Sequence, residues 1–128
     1  MVLDSSVLVA VVLKENGYHS FLQKANTARV LLLGAPTVLE TGMVLSVRLK
    51  RDPRLLLTDL LRNLNAEMVD FTAIHYEAAM AAFLRFGKGR HPAALNFGDC
   101  MSYALARVSG LPLLYSGTDF SKTDIESA

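Results

Sequence analysis

Cysteine is almost missing from this chain. Cys100 stands alone, which rules out an internal disulfide and suits a reducing compartment. No apolar run is long enough to cross a bilayer. The start of the chain lacks a basic segment, and Asp4 would sit inside any signal-peptide core, so a cytoplasmic protein without a membrane partner is expected. Charge of one sign is not in excess: the net charge is +1, which gives no whole-molecule field for nucleic acid. Repeats, low-complexity tracts and linkers are absent, so residues 1–128 read as one domain. Histidine and cysteine spacing offers no zinc site, and Gly87-Lys88-Gly89 is not a P-loop because the rest of the Walker pattern is missing. What is present is apolar residue: 52% of the chain, with a mean hydropathy of +0.31, enough for a real core and incompatible with disorder.

Short apolar runs alternate with helical patterns. Val2-Leu3 reads as a strand, followed by a helix to about Leu13 and a second from Tyr18 to Ala25. Val30 to Leu33 is a strand closed by Gly34, and Pro36 suits the first turn of a helix to about Lys50. Asp52-Pro53 restarts a helix to roughly Asn63, whose leucines suit either a dimer surface or packing within the monomer. Glu67 to Phe71 is a strand. Thr72 caps a helix over Ala73 to Phe86, with Ile74, Ala78, Ala82 and Phe86 on one face. Gly87 to Phe97 is a loop, Gly98-Asp99 opens a helix ending near Gly110, and Leu113 to Tyr115 is a strand. A turn over Gly117 to Phe120 precedes a short final strand around Ile125. This order predicts an α/β fold in which helices cover both faces of a mostly parallel sheet of four or five strands. Ligands in such folds bind beyond the carboxyl ends of the strands.

Four acids map to that edge: Asp4 directly after the first strand, Glu40 early in the helix after the second, Asp99 opening the helix before the last, and Asp119 just after it. Glu40 shares a helical stripe with Val44 and Val47, which predicts an inward-looking acid. Each acid taken alone has an ordinary role: Asp4 and Asp99 as N-caps, Asp119 in a turn, Glu40 at a helix dipole. Together they repel unless protonated or paired with a cation, and Mg²⁺ or Mn²⁺ suits oxygen ligands. With a metal as partner of Asp4, the cap bond of the first helix passes to Ser5 or Ser6.

These residues resemble a known family. VLDSSVLVA, the glutamate of PTVLETG, LNFGDCMSYALA and LLYSGTDFSKTDI are similar to the PIN-domain ribonucleases, and more narrowly to the VapC toxins of bacterial toxin–antitoxin pairs. The resemblance spans essentially the whole chain. It implies a three-layer α/β/α fold and the acidic quartet Asp4, Glu40, Asp99 and Asp119 as catalytic residues, with Asp4, Asp99 and Asp119 on Mg²⁺ or Mn²⁺ and Glu40 direct or through water. Ser6 matches a hydroxyl position beside the metal site, and Asp124 a recurring secondary acid. The implied activity is cleavage of structured RNA, often tRNA, which inhibits translation. The implied partners are a VapB-type antitoxin, a second copy in a homodimer, and the hetero-oligomer of both. One position departs: many relatives carry lysine immediately before the glycine of the GxDF segment, where this chain has Ser116.

An acidic edge repels RNA, so cations must offset it on approach. Lys88, Arg90 and His91 on the glycine-containing loop are the preferred phosphate contacts, ahead of the cluster Arg48, Lys50 and Arg51. Helix termination is the ordinary alternative for both clusters. Cys100 reads as a packed thiol, and Phe83, Phe86 and Phe97 as possible base-stacking rings, the first two better explained as core. Two rival functions fit less well. A receiver-like domain using Asp70 would want an acidic pair early in the chain and a late lysine where Ser116 stands. A PIN-like module that binds RNA or protein without cutting would have no need of a complete quartet.

Overall fold

Alternation along very short strands sets the architecture. The computed structural model describes all 128 residues. Its strands β1 (Val2–Leu3), β2 (Leu32–Gly34), β3 (Glu67–Val69) and β4 (Leu113–Leu114) pair in parallel in the order β3-β2-β1-β4. Val2 sits opposite both Leu32 and Leu113, and Leu3 opposite Leu114. Successive side chains in a strand point to opposite faces. Val2 and Leu113 accordingly join Ala82 and Phe86 of α5 (Ala73–Phe86) and Tyr103 and Leu105 of α6 (Phe97–Ser109). Leu3, Leu33 and Leu114 join the other core, with Val7 and Leu8 of α1 (Ser5–Leu13), Ala25 of α2 (Tyr18–Thr27) and Leu61 of α4 (Arg54–Asn63). Helix α3 (Ala35–Leu49) packs against both α1 and α6. The result is the expected three-layer α/β/α arrangement. Each buried leucine contributes about 2 kcal/mol, so truncating Leu3 or Leu33 would cost roughly 2–5 kcal/mol.

Several expectations change. The sheet has four strands: near Ile125 only a single bridge between Leu113 and Ser127 forms, because the preceding residues turn through a 3₁₀ helix (Phe120–Lys122) and leave one pairing position free. Helix α5 turns its buried face through His75, Ala79, Ala82 and Phe86, leaving Ile74 exposed. The Thr72 backbone N–H donates to His75 Nδ1 at 3.1 Å, which draws that ring against the helix start. In α3 the inward face is Thr37, Thr41 and Leu45, and Val44 and Val47 face water. Hydroxyls can be buried there because Thr41 Oγ1 donates to the Thr37 carbonyl at 2.8 Å. Of the α4 leucines, Leu57 and Leu61 are buried in the monomer while Leu55 is exposed.

Candidate active site

All four strands run the same way, so their carboxyl ends share one edge. Asp4 leaves β1 there. Its backbone N–H donates to the Leu114 carbonyl at 2.9 Å, extending the parallel pairing by one residue. Asp4 is 5% exposed, and its Oδ2 accepts the Ser6 backbone N–H at 3.0 Å and the Ser6 hydroxyl at 2.6 Å. The cap bond of α1 is therefore made by Asp4 itself and does not pass to Ser5 or Ser6, since extended backbone at Asp4 aims its carboxylate at the open N–H groups of the first turn. Both bonds fall on Oδ2 and leave Oδ1 uncommitted. Ser6 Oγ also accepts the Ser116 backbone N–H at 3.0 Å. A relay from the segment after β4 thus fixes the Asp4 carboxylate, and Ser116 takes part through its backbone.

Helix α6 is capped by Asn96, one turn earlier than the sequence suggests. Asn96 Oδ1 accepts the Asp99 N–H and Asp99 Oδ2 accepts the Asn96 N–H, both at 2.9 Å. This reciprocal box holds Asp99 rigidly in the first helical turn. Its carboxyl is raised from 3.8 to about 6, chiefly by burial, with the Asn96 bond opposing and the charges of Asp4, Asp119 and Glu40 adding repulsion. The structure thus brings Asp4, Glu40 and Asp119 within electrostatic reach of Asp99. Glu40 lies half-buried across Gly98, where an added Cβ would meet its carboxyl carbon at 2.6 Å. Its Oε2 is buried with no hydrogen-bond partner. Asp119 is exposed at the start of the 3₁₀ helix and makes no cap bond.

No three of these acids close into a ready cation cage. The donor set still fits a hard divalent ion: every ligand atom is a carboxylate oxygen, one is orphaned in the interior, and one carboxyl is pushed toward protonation, first by burial and then by its acidic neighbours. Such a cation would relieve both of the last two conditions at once.

The remaining expected residues lie elsewhere. Asp124 accepts from Tyr103 Oη at 2.7 Å and from Arg85 at 2.8 Å, with Arg107 at 3.9 Å, and none of its polar contacts is with the four acids. The Tyr103 bond and the two arginines hold its carboxyl below the ordinary range against a smaller cost of burial. Lys88 and Arg90 are exposed on the loop, whose Gly87–Leu95 bridge leads directly to the Asn96 cap. The Arg90 guanidinium lies 5.5 Å from the Phe83 ring centroid. His91 is packed: its Nδ1 accepts the Ala93 N–H at 3.0 Å and its ring meets Phe86 edge-on. Burial, and then the charge of Asp99, pushes the Cys100 thiol up to about 11, which removes it as a nucleophile.

Sequence reasoning missed two contributors. The Asn96–Asp99 box was visible as a capping residue with an acid three positions later. Gly98, with the Glu40 carboxylate against its backbone, could be found only as an early-helix glycine.

No helix is long and apolar enough to cross a membrane. The PIN domain family model matches residues 1–126. The chain is 42% identical over 127 residues to Ribonuclease VapC36 of Mycobacterium tuberculosis, covering 98% of this chain and 91% of that protein. Among solved structures, it superposes on Mycobacterium tuberculosis VapC20, a sarcin-ricin loop cleaving toxin, with a TM-score of 0.79 at 18% identity, covering 99% of this chain and 97% of the other. A toxin–antitoxin complex from Klebsiella pneumoniae matches with a TM-score of 0.71 at 16% identity, over 96% of this chain and 92% of that one. A set of carboxylates at the sheet edge that crowds Asp99, on a chain this similar along its length to a ribonuclease, has one family context: the chain belongs to the PIN-domain family and, within it, to the VapC ribonucleases.

Proposed function

We infer that this chain, as a single PIN domain over residues 1–128, is a Mg²⁺- or Mn²⁺-dependent endoribonuclease toxin that hydrolyses phosphodiester bonds in structured RNA, with tRNA the expected class, and so inhibits translation. The observation that carries the reading is the orphaned Glu40 Oε2 together with an Asp99 carboxyl that feels the charges of Glu40, Asp4 and Asp119. Asp4, Asp99 and Asp119 are assigned as cation ligands, and Glu40 as a ligand, directly or through water, or as base. When bound, the ion supplies Lewis-acid stabilisation of the charge that develops on the scissile phosphate. Ser6 keeps Asp4 Oδ2 occupied and so presents Oδ1 to the site. The Asn96 bond fixes the Asp99 carboxylate in the same way. As base, Glu40 takes a proton from the attacking water at Oε1, the carboxylate oxygen that is not sealed in the interior. The water oxygen bonds to phosphorus, the bond to the leaving oxygen breaks, and that oxygen is protonated from solvent. Exposed Lys88 and Arg90 offset the acidic field as RNA approaches.

Membership among the VapC ribonucleases, and the likeness to a solved toxin–antitoxin complex, support a VapB-type antitoxin as partner, with a homodimer within the hetero-oligomer. One observation favours a different reading, a PIN-like module that binds RNA without cutting it: the acids do not close into a cage. Incubating purified, antitoxin-free protein with total RNA separates the two. Cleavage is expected with Mg²⁺ or Mn²⁺, is expected to disappear with chelator, and to fall at least a hundred-fold in Asp4→Asn or Asp99→Asn, since loss of a direct ligand should exceed the 10–100-fold cost of an outer-shell change. Undiminished cleavage in these variants would defeat the assignment, and no cleavage by the wild type under either metal would favour the binding module.

A further inference from the structure

Phe97 is the most exposed phenylalanine or tyrosine of the chain. Phe86 and Phe120 are almost fully buried, whereas Phe97, the first residue of α6, is 78% exposed. The residues after it explain where the ring stands. Gly98 carries the Glu40 carboxylate against its backbone, and Asp99 follows. The ring therefore sits at the rim of the acidic edge, where it lines an opening with the exposed side chains of Leu39 and Met43 from α3. Phe83, by contrast, is partly buried and carries the Arg90 guanidinium near its ring.

Carboxylates committed to a cation are not free to hold a nucleobase. Stacking supplies binding without adding charge of either sign, and it tolerates any sequence because every base has a π-face. Unpaired bases of structured RNA are the ones available to stack. We propose that Phe97 is the stacking platform for an unpaired base beside the scissile phosphate, and that it sets which nucleotide is brought to the acids. The proposal rests on the ribonuclease reading. A protein surface would also cover an exposed ring, but the opening that Phe97 lines is lined by Glu40 as well, so RNA reaching that acid passes the ring.

The chain contains no tryptophan, so Phe97→Trp introduces a single fluorescent reporter at an exposed position. In an Asp99→Asn background, which binds without cutting, an RNA hairpin with an unpaired loop should quench the indole emission. The same hairpin with an abasic loop should bind more weakly and leave emission unchanged. In otherwise wild-type protein, Phe97→Leu keeps apolar bulk but loses the ring. It should raise KM roughly ten-fold with a smaller change in kcat, within the range lost with one base–aromatic stack, and Phe97→Trp should restore it. Circular dichroism should show the same fold in each variant. Bound hairpin, seen by anisotropy of labelled RNA, without quenching would overturn the proposal, as would a Phe97→Leu variant with wild-type KM. Emission that follows protein concentration and ignores RNA, with Phe97→Leu altering the sedimented mass, would overturn it in favour of a contact between copies. If wild type cuts RNA and Phe97→Leu matches it, stacking alone fails. If wild type neither binds nor cuts RNA, the ribonuclease reading fails with it.

Discussion

Asp99 and Asp124 are two aspartates packed against the same helix, and the protein treats them oppositely. Asp99, in the first turn of α6, is raised to about 6 by burial and by three neighbouring acids. Asp124, beside the middle of that helix, is held below its ordinary range by Tyr103, Arg85 and Arg107. The phenol pays the reciprocal shift, as burial and the bond to Asp124 push Tyr103 up to about 12. One carboxylate is fully served by the fold and needs nothing further. The other is anchored through one oxygen yet left among like charges, an arrangement that costs stability and makes sense only if something else is to be bound. Unsatisfied acids mark the site; satisfied ones mark the scaffold.

The comparison can be broken from the Asp99 side by filling the space that Glu40 uses. In Gly98→Ala, the new Cβ would meet the Glu40 carboxylate and displace it. RNA cleavage should fall by about 10- to 100-fold. The melting temperature should change little, because alanine's better helix propensity, about 1 kcal/mol, offsets part of the overpacking. Parallel cleavage assays and thermal melts check this, and a variant that is fully active, or inactive only because it is unfolded, would contradict it.

A smaller effect is expected on the scaffold side. Asp124→Asn weakens the clasp between the segment after β4 and helices α5 and α6. Because the carboxylate and its arginines are partly exposed, the loss should be about 1 kcal/mol, or a few degrees in melting temperature, with kcat unchanged. The folded group binds its proton less tightly than the unfolded one. Its stabilisation is therefore present above pH ~4 and is lost as pH falls through the lower folded value. Melts of wild type and Asp124→Asn should accordingly converge at low pH. A drop in cleavage with no change in stability would instead return Asp124 to the site.

Much of this contrast was legible in the chain. Short apolar runs such as Val2-Leu3 and Leu113-Leu114 locate the strands, and acids that follow a strand, or open the helix leading back to the next one, reach a common edge. What could not be read depended on neighbours distant in sequence. The stripe through Glu40, Val44 and Val47 is apolar on paper, yet α3 turns Thr37, Thr41 and Leu45 inward, because their hydroxyls find partners in the helix and on Ser102. Asp124 looked like a companion of the other acids until Arg85 and Tyr103, far away along the chain, proved to be its partners. Ile125 suggests a last short strand, but the turn before it leaves only one bridge to Leu113.

The most direct measurement of the central claim is a set of thermal melts of wild type and Asp99→Asn, with and without Mn²⁺, from pH 4 to pH 8. Folding raises the Asp99 carboxyl from 3.8 to about 6, so ionising it opposes folding. The metal-free wild type should lose stability as pH rises through that window. Discounted for partial exposure, the loss is about 1 kcal/mol, or roughly 4 °C. Asp99→Asn keeps an oxygen to accept the Asn96 N–H but carries no charge. It should melt higher than metal-free wild type at pH 8, and Mn²⁺ should stabilise the wild type while leaving the variant nearly unmoved. A variant that melts lower than wild type at pH 8, together with a wild type indifferent to Mn²⁺, would contradict the claim that these acids are left without a cationic protein partner in order to receive a cation.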